Sequence, residues 1–314
     1  MRLNVPYHRI RSGAAGLLIA SWLLTACSSS SSPTATAAPT ATSALVATLG
    51  PAAEAVRLTI EKTGNITYAN VDEYRSKLDV YIPNEPGPWP VVIVVHGAEQ
   101  SRSNFADLSE AIASEGAVVY NIYANFTVPY VTGVQRIACA VRFARATAAD
   151  YGGDPSRITL VGNSAGAATG AVVALAGDDF EEDCVVTEGS ALPDALFGFE
   201  GPYDYVMTDG GRYNHSFLKD EDPELWHAIN PYSHIGRNPD LQVRLVHGDD
   251  VDINWYDVPP ELSIDFHQAL ADAGYDAELI VLEGASHIDL TKSDSEAFGL
   301  MVQQVMELAS SSSQ

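Results

Sequence analysis

Apolar and polar positions follow two different rhythms along this chain, and the change between them falls near residue 54. From about residue 56, short strand-like runs alternate with helix-like stripes, the arrangement of an α/β domain. Arg57–Ile60, Asn65–Val71 and Lys77–Ile82 are short, alternating and turn-bounded, which predicts an antiparallel meander. Val91–Val95 is an unbroken β-branched run, as expected of a strand covered on both faces. A helix capped by Ser103 follows, with Phe105, Leu108 and Ile112 on one side and a stop at Gly116. Ala117–Ile122 reads as the next strand. Val134, Ile137, Ala138 and Val141 stripe a long helix that ends before Gly152-Gly153. Ile158–Val161 is a strand and Ala165–Ala176 a small-residue helix closed by Gly177. Leu241–Val246 and Glu278–Leu282 are two further strands, separated by a helix with Leu262, Phe266 and Leu270 inward. Ser293 and Glu296 have capping-box spacing for a last helix. Only segment 188–235 has room for a cap or lid.

Before residue 54 the pattern is of another kind. Arg2, Arg9 and Arg11 precede an apolar run, Ala14 to Leu24, that is shorter than the ~20 residues a spanning helix needs. It stops at small residues and reads as a signal peptide over 1–26. Leu24-Thr25-Ala26-Cys27 resembles the lipobox of bacterial lipoproteins. That resemblance implies a lipidated Cys27 as mature N-terminus and a location on the outer side of a bacterial membrane. Ser28 to Ser32 and the Pro/Thr/Ala alternation to Thr42 offer little to bury, so 27–53 is expected to be a flexible stalk. The folded domain is then 54–309, followed by a frayed tail at 310–314.

Composition narrows the partners. The chain has 314 residues, of which 46% are hydrophobic, enough for a buried core. Lys and Arg total 17 against 41 Asp and Glu, a net charge of −24. Phosphate backbones and anionic lipid headgroups both select clustered cations, so nucleic acid and direct adsorption to a membrane are excluded as expectations. The lipid on Cys27 would supply the membrane attachment instead.

Chemistry is concentrated at Gly162-Asn163-Ser164-Ala165-Gly166, between a buried strand and a helix. At such a turn a serine sits on a strained elbow, and its hydroxyl meets the positive end of the helix. A hydroxyl is a weak nucleophile and needs a base. Of eight histidines, His287 has both a late position and a loop setting, in Gly284-Ala285-Ser286-His287 after the last strand. His96 and His247 each precede a glycine at a strand end, and His8 lies in the leader. The acid that orients His287 is expected in His247-Gly248-Asp249-Asp250-Val251-Asp252. Asp252 is favoured, with Asp250 the alternative and Asp249 third. Oxyanion donors are expected from the amide of Ala165 and from the turn His96-Gly97-Ala98-Glu99. Ala98 is the choice there, with Glu99 next.

Taken together, these pieces resemble the α/β-hydrolase fold over about residues 65–308, in its carboxylesterase and esterase/lipase branches. The most telling run is Tyr151-Gly152-Gly153-Asp154-Pro155-Ser156-Arg157-Ile158 leading into the serine motif, which is similar to feruloyl-esterase-like proteins and type-B carboxylesterases. Asn230-Pro231-Tyr232-Ser233 is similar to the segment before the acid-bearing strand. The resemblance implies a mostly parallel central sheet with helices on both faces and a small lid insertion. It implies a carboxylic ester hydrolase working through an acyl-enzyme, with a small-molecule or polymer-linked ester as substrate and no cofactor. A thioesterase or peptidase with the same triad is an alternative, as is a hydrolase-fold surface binding protein without turnover. Two departures stand out. Ala98 and Glu99 occupy places where an H-G-G-G turn has glycine, and the family's usual acid position, four residues after His247, is Val251.

Cys139 and Cys184 remain once Cys27 is lipidated, on elements adjacent in the doubly wound order, and a disulfide between them is expected. No metal site is expected. The acidic run Asp178, Asp179, Glu181, Glu182 and Asp183 reads as a solvated loop in preference to a calcium site. Tyr203, Tyr205, Tyr213, Trp255 and Tyr256 are candidates for lining a substrate pocket.

Overall fold

The structure, a computed structural model, describes residues 57–70, 76–124, 126, 131–181, 183–204, 220–249, 258–287 and 289–311, and the short strand Leu45–Ala47. The leader, Cys27, Asp250, Asp252, Tyr205, Tyr213, Trp255 and Tyr256 lie outside the described residues.

The strands are β1 (Leu45–Ala47), β2 (Ile60–Thr67), β3 (Lys77–Pro83), β4 (Trp89–Val95), β5 (Val118–Ile122), β6 (Gly153–Asn163), β7 (Ala195–Phe199), β8 (Gln242–Gly248) and β9 (Asp276–Leu282). They form one sheet in the order β1-β9-β8-β7-β6-β4-β5-β3-β2. β2 and β3 are antiparallel to their neighbours, and the remaining pairs are parallel. β4 is central because every residue after Trp89 is buried, as its apolar run requires. β1 falls inside the expected stalk and pairs with β9, so the sheet takes in residues before 54.

Helices cover both faces. α2 (Val131–Thr147), α3 (Ala165–Ala176), α4 (Pro223–Ile229) and α5 (Pro260–Asp272) pack on one side. α1 (Ala106–Ser114) and α6 (Glu296–Ser311) pack on the other, through Leu108 and Ile112 against Met301 and Val305. α3 comes close to the sheet because its residues are small. A Cβ at Gly170 would already touch Leu160.

Several boundaries differ from the expected ones, each for a local reason. The two strands expected before residue 71 are one strand. Asn65, at φ 61, absorbs a register shift between Thr63 and Ile66 and donates its amide to Asp79, so the Gly64-Asn65 pair is a bulge. Ser101 and Asn104 form the capping box of the turn that leads into α1, rather than Ser103 alone. Ser295 Oγ accepts from Phe298 N at the start of α6, while Ser293 donates to Asp107. The largest difference is β7. Segment 188–235, expected as a lid, contributes a buried central strand, Ala-Leu-Phe-Gly-Phe.

Candidate active site

The chain crosses sides at the β4/β6 pair: it runs from β4 outward to β5, then returns past β4 to β6 and continues through β7, β8 and β9. Ligands of open parallel sheets bind beyond the carboxyl ends of the strands at such a switch point. Ser164 follows β6 there and is the residue that caps α3. Its backbone is held at φ 54, ψ −121, a left-handed conformation that costs a non-glycine residue about 1–3 kcal/mol. Three hydrogen bonds fix it. Ser164 N donates to Phe199 O at 2.9 Å, and its carbonyl accepts from Ala167 N at 2.9 Å and Ala168 N at 3.2 Å. The flanking glycines are sterically required. A Cβ at Gly162 would lie 2.5 Å from Gly166 O, and one at Gly166 would lie 2.4 Å from His96 O.

Phe199 is followed by Glu200, which is also left-handed, at φ 46. The Glu200 amide donates to Val246 O, turning the side chain across the end of β8. The residue is 4% exposed, and both carboxylate oxygens are engaged. Oε1 accepts from Gly248 N at 2.9 Å, and Oε2 lies 2.5 Å from His287 Nδ1. A carboxylate accepts, so Nδ1 carries the proton and Nε2 keeps the lone pair that a general base needs. The loop bearing His287 is closed by a turn at Gly284, whose amide donates to Asp249 Oδ1 at 2.6 Å, and by Ser286 N donating to Asp289. Gly248 admits this loop, since a Cβ there would lie 2.1 Å from Ala285 O. A chain of contacts thus joins Ser164 through Phe199 and Glu200 to His287.

From the sequence, the orienting acid is expected at Asp252, with Asp250 the alternative and Asp249 third. Among the described residues the carboxylate on the imidazole is Glu200, and Asp249 caps the His287 loop from outside it. Glu200 was missed because its strand was missed. The available signal was a five-residue apolar run ended by an acidic residue and Gly-Pro.

The turn after β4 faces the elbow directly: a Cβ at Gly97 would lie 3.1 Å from Ser164 Cβ. His96 is buried, and both its ring nitrogens are used. Nε2 accepts from Ala124 N at 3.1 Å, which leaves Nδ1 to donate to Gly97 O at 2.7 Å. Burial pushes its pKa down to about 4, so the ring is neutral in that role. Ala165 N is the first amide of α3 and has no acceptor within the helix. Among the described residues Ala98 N has no hydrogen-bond partner either. His247 bonds Ser263 Oγ at 3.0 Å through Nδ1, and burial lowers its pKa. That bond ties the end of β8 to α5.

Other expected residues fall into structural roles. Cys139 and Cys184 form a disulfide that ties α2 to the segment after α3. Asp178 accepts from Ala191 N and Ser190 Oγ and pairs with Arg142, and Asp179 pairs with Arg237, so these two acids brace the loops around them. Among the described residues no group of three or more His, Cys, Asp or Glu could hold a metal ion. Tyr203 is fully buried, stacked 4.5 Å from Phe266 and set against Gly198 and Gly201, and packs rather than lines a pocket.

A protein-family model described as BD-FAE matches residues 78–270. A probable isoprenylcysteine alpha-carbonyl methylesterase of Arabidopsis thaliana is 30% identical over 252 residues, covering 73% of this chain and 52% of the relative. A probable methylesterase of the same description from Oryza sativa subsp. japonica is 30% identical over 247 residues, 71% of this chain and 58% of its own length. The chain therefore spans little more than half of these curated relatives. Among solved structures, a truncated carbohydrate esterase from gut microbiota superposes with a TM-score of 0.63 at 21% identity, covering 82% of this chain and 99% of that one. Esterase B from Lactobacillus rhamnosis gives 0.66 at 15% identity, covering 81% and 87%. These two likenesses establish the α/β-hydrolase fold.

Proposed function

The chain belongs to the BD-FAE family of esterase-type α/β-hydrolases, and on that premise we propose that it hydrolyses carboxylic esters through an acyl-enzyme on Ser164. The observation that carries the proposal is the contact chain at the sheet edge: the strained Ser164 is bonded to Phe199 O, and the next residue, Glu200, holds His287. His287 Nε2 takes the proton of the Ser164 hydroxyl as Oγ attacks the ester carbonyl. The tetrahedral oxyanion is received by the amides of Ala165 and Ala98, where the dipole of α3 also favours negative charge. Collapse breaks the bond to the alcohol, which leaves with the proton held by His287. A water molecule, deprotonated by the same nitrogen, then attacks the acyl carbonyl and frees the carboxylic acid and Ser164. Glu200 keeps Nδ1 protonated and stabilises the imidazolium at both stages. No step in this sequence calls for a cofactor.

The names of similar proteins suggest which esters to try first: methyl esters from the curated relatives, and acylated carbohydrates from the structural neighbour. A fluorophosphonate probe tests the chemistry. Stoichiometric labelling of Ser164, abolished by Ser164→Ala, is expected alongside hydrolysis of p-nitrophenyl acetate and butyrate. A folded chain that neither labels nor turns over any of these esters would leave the reading of a surface binding protein.

Anchoring belongs to the same reading. Leu24-Thr25-Ala26-Cys27 supports lipidation of Cys27 and placement outside a bacterial membrane. Among the described residues no helix is long and apolar enough to cross a membrane. Incorporation of an alkyne-tagged fatty acid by the wild-type chain in a bacterial host, and its loss in Cys27→Ala, is the expected result.

A further inference from the structure

The two halves of the oxyanion site follow different strands, β4 and β6, and one side chain bridges them. Gln100 Oε1 accepts from Gly97 N at 3.0 Å, on the turn after β4, and from Asn163 Nδ2 at 3.3 Å, the residue before Ser164. Space at this point is tight: Gln100 Oε1, Ser164 Cβ and Asn163 Nδ2 all lie within 3.2 Å of where a Gly97 Cβ would stand. The peptide groups on both sides of Gly97 are therefore committed. Its N–H goes to the Gln100 side chain. Its C=O accepts from His96 Nδ1 at 2.7 Å and from Gln100 N at 3.4 Å.

A trans peptide is planar, with its N–H directed opposite to its C=O. Once Gly97 C=O is turned to His96 and the Gln100 backbone, the Ala98 N–H in the same peptide plane must point to the other side. We propose that Gln100 is a positioning residue for ester hydrolysis, aiming the Ala98 amide at the oxyanion and locking that turn to the Ser164 elbow. The inference rests on the reading of the chain as an ester hydrolase. It also accounts for a departure in the sequence. Where an H-G-G-G turn relies on glycines, this chain has Ala98 and Glu99, with Glu99 at φ 60, and the side chain of the next residue holds the turn.

The test uses the full chain with Gln100→Leu, which removes the acceptor at similar size, and Gln100→Glu, which keeps an acceptor oxygen. Each is assayed on p-nitrophenyl butyrate and against an alkyl trifluoromethyl ketone, which forms a tetrahedral oxyanion on the serine. Loss of one aligned donor is worth about 10²–10³ in kcat, so a misaimed one should cost Gln100→Leu about 30-fold. KM should stay within twofold, and affinity for the ketone should fall by the same factor as kcat. Gln100→Glu should retain most of the wild-type kcat. An unchanged kcat in Gln100→Leu, an equal loss in Gln100→Glu, or a rise in KM with undiminished ketone affinity overturns the inference. Should Gln100→Leu fail to fold, Gln100→Asn gives the same reading, with matched losses in kcat and ketone affinity in support and a change in KM alone against. A wild-type chain inert to esters and to fluorophosphonate would be the failure of the ester-hydrolase reading, and this inference would go with it. An active wild type with indifferent Gln100 variants would be the failure of this inference alone.

Discussion

His287 Nδ1 and Glu200 Oε2 lie 2.5 Å apart, although 87 residues separate them in the chain. The bond selects the imidazole tautomer, and Gly248 N on the other carboxylate oxygen fixes the direction from which it does so. Glu200→Gln is therefore expected to lower kcat by roughly 10²–10⁴ with little change in KM, because an amide presents a donor where an acceptor is needed. Asp252→Asn and Asp250→Asn should each stay within about tenfold of wild type, far short of the loss expected on removing a triad member. Steady-state kinetics on one ester decide it. If the large loss appears in Asp252→Asn and Glu200→Gln is mild, the orienting acid belongs to the 249–252 loop.

The elbow depends on backbone approach, which glycine substitutions measure. Gly166→Ala would drive a Cβ to 2.4 Å from His96 O, against backbone on which the donor turn is built. Its expected cost is more than about 3 kcal/mol, together with loss of fluorophosphonate labelling. Gly299 in α6 has nothing within 4 Å of its Cβ position. Gly299→Ala should stabilise the chain by about 0.5–1 kcal/mol without touching activity. Urea denaturation of the two variants, read by circular dichroism, separates the cases. Equal effects would mean that the crowding at Gly166 has no energetic weight.

Much of this candidate site is legible in the sequence. Ser164 could be placed because strand, glycines and small-residue helix all point to one turn, and His287 because it follows the last apolar strand on a glycine-marked loop. Glu200, the carboxylate that meets His287, was hidden for two physical reasons. Its strand is five residues long and lies in a Gly- and Pro-rich stretch, so its apolar run carried little periodic signal. The 249–252 loop offered three aspartates at the expected point in the chain and drew the assignment. The bulge at Asn65 was missed for a similar reason, since Gly-Asn marks a turn as readily as a bulge and only the pairing with β3 decides.

The disulfide gives a prediction independent of catalysis. Cys139 and Cys184 close a loop spanning 45 residues that includes β6, Ser164 and α3. Closing a loop of that size lowers the entropy of the unfolded chain by the equivalent of about 3–4 kcal/mol. Chain produced in an oxidising compartment should be protected at both cysteines from alkylation without reductant. Dithiothreitol should lower its Tm by several degrees, and a Cys139→Ala/Cys184→Ala variant should lose that sensitivity. Free alkylation of both thiols in the native, unreduced protein would refute the pairing.

Acid stability follows from His96. Its ring accepts an amide at Nε2 and donates from Nδ1, so the folded state needs it neutral, and burial holds its pKa at about 4. In the unfolded chain an imidazole titrates near 6.5. Between those values the unfolded state binds a proton that the folded state refuses, so stability falls as pH is lowered through the window and is fully present above it. For a complete passage the loss is on the order of 3 kcal/mol from this residue. Burial shifts His247 and His234 in the same direction. The Tm should therefore be several degrees lower at pH 5 than at pH 7.5. His96→Asn should start from a lower Tm at pH 7.5 and decline less steeply, because the proton-binding difference has been removed. Thermal melts at four or five pH values suffice, and an acid slope in His96→Asn as steep as that of the wild type would show that the ring is not the group responsible.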